Sequence, residues 1–113
     1  MEVLLDEELV AAAMAVIISA GEARDYCTEA LGAAKKGDFE EAEAMLAKAK
    51  EKITEAHGGQ TEVLQKEASG EKQGINLLFI HAQDTLMTIM SEYNMAKEFL
   101  DVYKLIYNMR NKS

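Results

Sequence analysis

The chain is predicted to fold as one all-α domain, an up-down-up bundle of three helices. Three observations predict it. No proline and no tryptophan occur, and seven glycines are the only backbone breakers in 113 residues. Strong helix formers (Ala, Glu, Lys, Leu and Met) are abundant. Apolar residues recur three and four apart through three long segments, separated by two glycine-marked breaks. With 49% apolar residues the chain is globular and not disordered. A chain of this length is a single domain, residues 1–113, near the size where oligomerisation helps stability.

The three helices are expected over about residues 6–34, 38–68 and 74–107, with a frayed polar tail over 108–113. In the first, Asp6 is a capping residue, and Leu9, Ala13, Val16, Ala20, Ala23, Cys27, Leu31 and Ala34 form a core stripe of mostly small side chains. Met14 and Ile18 lie off that stripe. Lys35 and Lys36 suit the negative end of the helix dipole, Gly37 suits a left-handed cap, and Asp38 with Glu41 makes a capping-box-like start. The link is therefore a tight helical hairpin. The second helix buries Phe39, Ala42, Leu46, Ala49, Ile53, Ala56, Val63 and Leu64, and its other face is charged, as expected of an outer helix. Gly58 and Gly59 each weaken it by roughly 1 kcal/mol relative to alanine, so a kink or break is expected there. Ser69 to Gly74 (SGEKQG) reads as a loop.

The third helix has two apolar stripes on opposite sides. Ile75, Leu78, Ala82, Leu86, Ile89, Tyr93, Ala96, Leu100 and Tyr103 face the rest of the chain. Leu77, Ile80, Asp84, Met87 and Ser91 alternate three and four apart, the spacing of a seam at which like helices meet. A helix apolar on two sides must be covered on two sides, and this chain has helices for one, so a homo-oligomer is expected. Asp84 then faces its own copies. Two carboxylates about 4 Å apart repel by roughly 4 kcal/mol at an effective dielectric of about 20. They must be protonated, hydrogen-bonded or bridged by a cation, and oxygen-only ligation suits magnesium or calcium better than zinc. His81 lies about 60° round the helix from Asp84, at the edge of the seam and within reach of a partner.

The formal charge of -8 disfavours nucleic acid and anionic membranes as partners and would steer a basic protein. The apolar run from Leu9 to Ala20 is too short to cross a bilayer, so no direct membrane insertion is expected. The opening MEVLLDEEL is acidic where a secretory signal would be basic, and one cysteine permits no internal disulfide, so the cytoplasm is the expected compartment. No glycine-rich phosphate loop, CxxC pair, HExxH or nucleophile elbow occurs, which argues against a nucleotide-using enzyme. His57, beside the glycine pair, reads as surface. Cys27 reads as inert core, and the seven methionines as packing.

SAGEARDYCTEAL in the first helix, KKGDFEEAEAMLAKAKEKITEAH through the hairpin and, above all, GINLLFIHAQDTLMT resemble the lactose/cellobiose-type enzyme IIA component of the bacterial sugar phosphotransferase system. The resemblance covers nearly the whole chain. It implies a homotrimer, a nine-helix bundle with the third helix central. His81 would be the phosphorylated histidine. Asp84 would meet its two copies on the threefold axis and bind a divalent cation, taken as magnesium. Gln83 and Thr85 would orient the phosphoryl group. Many members of the family read HAQDHLM. Here Thr85 replaces the second histidine, and it can hydrogen-bond a phosphoryl oxygen but cannot relay a proton as imidazole does.

The implied function is that of a phosphotransferase component. His81 would take a phosphoryl group from the phosphohistidine of the general carrier protein and pass it to a cysteine of the sugar-specific IIB component, supporting uptake of a β-linked disaccharide of the lactose, cellobiose or chitobiose type. The alternative, from another class, is a non-catalytic helical interaction module with His81 structural. Its support is GDFEEAEAMLAKA, which looks like one helix of a tetratricopeptide unit, although one copy without a repeat cannot stack.

Overall fold

The computed structural model describes residues 7–68 and 77–112. Within them the chain forms α1 (Glu7–Lys35), α2 (Phe39–Ala68) and α3 (Leu77–Asn111). The helix boundaries of α1 and α2 follow from local chemistry. Gly37 takes a φ of 81°, open to glycine at little steric cost. Its amide donates to the Ala34 carbonyl and that of Asp38 to the Ala33 carbonyl, both at 3.0 Å, which closes α1 in a Schellman turn. The Asp38 side chain then accepts from the Glu41 amide three residues later, at 3.2 Å, and caps the start of α2. The chain reverses in this turn, and α2 returns along α1.

The core is alanine-rich where α1 meets α2. Ala13, Ala20, Ala23, Ala30 and Ala34 of α1 and Ala42, Ala49 and Ala56 of α2 are all buried, so the two helix backbones can approach closely. Larger side chains fill the end nearer the start of α3, where Leu9, Val16, Phe79, Leu86 and Ile89 are fully enclosed. The helices run up, down and up. Arg24 of α1 pairs with Glu92 of α3, and the last turns of α3 reach the α1–α2 turn, where Phe39 meets Tyr107 edge-on at 5.4 Å. Lys104 of α3 also pairs with Glu43 near the start of α2. The result is a rod, 70 × 22 × 17 Å.

Several expectations need correction. α2 is unbroken through Gly58 and Gly59, because Ala56 and Val63 are both buried on either side of the pair and hold the helix against the core. Leu64 is 40% exposed while its neighbour Val63 takes the core position. Ala30 is buried where Leu31 was expected to be, and Leu31 packs only at the edge. Phe79, absent from the expected stripe, is among the best-buried side chains. α3 continues to Asn111, so residues 108–111 are helical and not frayed; the Phe39–Tyr107 contact anchors its final turns. Asp6 as a cap, the SGEKQG loop, the start of the third helix at Gly74 and Ile75 lie outside the described residues. GDFEEAEAMLAKA is the hairpin turn and the opening of α2, and its helix packs on α1 and α3 rather than on a repeat.

Candidate functional site

α3 buries one side against its own chain and leaves the other bare. Phe79, Ala82, Leu86, Ile89, Ala96 and Leu100 are buried. On the opposite side Leu77 is 80%, Ile80 45% and Met87 60% exposed, and Asp84 and Ser91 on the same stripe are exposed too. The bare apolar side continues past the expected seam through Met95, Phe99, Val102, Ile106 and Met109. The step from Ser91 to Met95 is four residues where strict alternation calls for three, so a search for the seam pattern stops at Ser91.

His81 stands on one flank of this stripe. Its imidazole is exposed and, among the described residues, bonds to none. Thr85 follows one helical turn later on the same flank and is half-buried. Its hydroxyl is placed differently from those of three other helical threonines. Thr28, Thr54 and Thr88 each donate to the carbonyl four residues earlier, at 3.1, 2.9 and 2.9 Å. Among the described residues Thr85 makes no such bond, so its hydroxyl is available one turn from the imidazole. Gln83 is half-buried and stands on the opposite flank, about 160° round the helix from His81. The two do not share a face within one chain. Asp84 sits between the flanks, on the stripe itself.

One chain brings one carboxylate to this place, and no group of three or more His, Cys, Asp or Glu side chains gathers among the described residues. A multi-carboxylate cation site at Asp84 would therefore draw on other copies of the chain. The residues would fit such a site in chemistry, because Asp84 offers an exposed carboxylate flanked along the stripe by Ile80 and Met87.

The other candidates have structural surroundings. His57 is exposed on α2 with Nδ1 3.4 Å from the Thr61 hydroxyl. Cys27 is 5% exposed in the α1–α3 contact, where burial, and then the charge of Glu92, push its thiol above the usual range. Its low thiolate population suits an inert core residue. Arg24 and Glu92, which sequence spacing did not connect, form a two-pronged ion pair at 2.9 and 2.7 Å across α1 and α3.

In structure the chain is similar to the cellobiose-specific enzyme IIA of Bacillus anthracis, with a TM-score of 0.83 and 42% identity over 96% of this chain and 95% of that one. It is also similar to the IIA(chitobiose) protein in a solution complex with HPr from Escherichia coli, with a TM-score of 0.79 and 34% identity over 90% of this chain and 99% of that one. In sequence it is 41% identical to the lichenan-specific phosphotransferase enzyme IIA component of Bacillus subtilis, over 96% of this chain and 99% of the relative. The family described as "PTS system, Lactose/Cellobiose specific IIA subunit" matches residues 11–104, and the chain belongs to it. It is thus a sugar-specific IIA component of the phosphotransferase system, and a phosphotransferase component in activity.

Proposed function

We propose that His81 is the phosphoryl acceptor and donor of this IIA component. The observation that carries the proposal is its exposure, without a bond to any described residue, on the flank of the uncovered α3 stripe. An imidazole nitrogen attacks the phosphorus of a donor phosphohistidine in line. A new N–P bond forms as the donor's N–P bond breaks, and the donor imidazole keeps the electron pair. The reverse geometry then delivers the group to a thiolate of the IIB component, with an S–P bond forming as the N–P bond at His81 breaks. Such transfer asks chiefly for position and for donors to the phosphoryl oxygens. HPr is the donor by analogy with the IIA(chitobiose)–HPr complex.

The Thr85 hydroxyl supplies one donor from the same chain. Gln83 can supply another only from a neighbouring copy, because a seam between copies of α3 brings opposite flanks together. The assembly that provides this is a homotrimer with α3 central. Three Asp84 carboxylates would then share a divalent cation, magnesium by charge and oxygen ligation, which offsets their mutual repulsion. The cytoplasm is the working compartment, in keeping with donors of the general phosphotransferase system. Among the described residues no helix is long and apolar enough to cross a membrane. The cargo of the pathway is a β-linked disaccharide of the lactose, cellobiose or chitobiose type, and its selection belongs to the membrane component.

The test is phosphorylation from phosphoenolpyruvate through the two general phosphotransferase proteins, scoring acid-labile label on wild type and His81→Ala. Label on the wild type that is lost in the variant is the expected result. A wild type that stays unlabelled beside a labelled relative would refute the carrier role. Label that persists in His81→Ala would move the acceptor to another side chain.

A further inference from the structure

No further inference is drawn: the strongest candidate, the apolar cleft of about 340 Å³ between α1 and α3 lined by Cys27, Leu31, Met95 and Phe99, opens onto the same bare stripe of α3 already assigned to a second copy of the chain, and nothing in the structure shows a different occupant.

Discussion

At the residue scale, Thr85 stands where the family resemblance implies a second histidine, and its hydroxyl is the group proposed to act there. A threonine inside a helix ordinarily satisfies its donor on the carbonyl one turn back, as Thr28, Thr54 and Thr88 do. Thr85 does not do so among the described residues, and one turn from His81 its donor is the one proposed to meet a phosphoryl oxygen. A hydrogen bond to a charged group contributes about 1.5–3 kcal/mol. Thr85→Val keeps the shape and removes the donor, so single-turnover transfer from phosphorylated HPr should slow by roughly tenfold or more while the fold is unchanged by circular dichroism. An unaltered rate would leave the hydroxyl without a part in the reaction. The exposed position of His81 at the edge of the α3 stripe was readable in the sequence, from its place beside a polar break in an apolar seam. The place of Gln83 across the helix from His81 follows from the same 100° per residue, and only its half-burial needed the structure.

At the element scale, the α1–α2 turn was legible because its determinants are local. A left-handed glycine, two backbone bonds and an aspartate cap all lie within a few residues. Gly37 should resist replacement, since a Cβ there would take a strained φ and meet the Tyr107 ring at 3.0 Å. Gly58 is the opposite case. A Cβ would meet nothing within 4 Å, in a helix that continues through it. Gly58→Ala should therefore raise stability by about 1 kcal/mol and Gly37→Ala lower it by about 1–2 kcal/mol, as read by urea unfolding. If both variants matched the wild type, the conformational argument would fail. What the sequence concealed at this scale were choices made by packing. Val63 and Leu64 are equally apolar neighbours, and only the rotation of α2 against α1 decides that Val63 is inside. The Arg24–Glu92 pair is likewise non-local. The hydrogen bonds from Arg24 hold the Glu92 carboxyl below its ordinary range. A carboxyl depressed on folding stabilises at pH above its unfolded value, and that contribution is lost as pH falls through the folded one. Both side chains are about half exposed, at 50% and 41%, so screening limits the effect to less than about 1 kcal/mol. Glu92→Gln should unfold at slightly lower urea than wild type at pH 7, with the gap closing in acid. A gap that widened in acid would contradict this sign.

At the scale of the whole molecule, the described residues form a rod whose third helix has two sides to bury and one partner surface to bury against. Leu77, Ile80, Met87, Met95, Phe99, Val102, Ile106 and Met109 stay exposed along the length of α3, and a contiguous apolar surface of this kind marks an interaction site. Its spacing is that of a helix meeting its own kind, apart from the extra residue between Ser91 and Met95, which would locally relax the supercoil. The two side-chain types on the stripe make opposite predictions. Met87→Glu places a new charge in each chain at the apolar contact, with no partner to neutralise it, and should convert the proposed trimer to monomers in sedimentation velocity. Asp84→Leu removes one crowded carboxylate per chain and substitutes apolar contact, so the assembly should persist and be neutral or more stable by about 1–4 kcal/mol, the range found when buried charges are replaced by packed apolar groups. Dissociation of Asp84→Leu would place the carboxylate away from the axis and leave the cation without its ligands. A monomeric wild type would remove the seam itself, and with it the route by which Gln83 of one copy reaches His81 of the next.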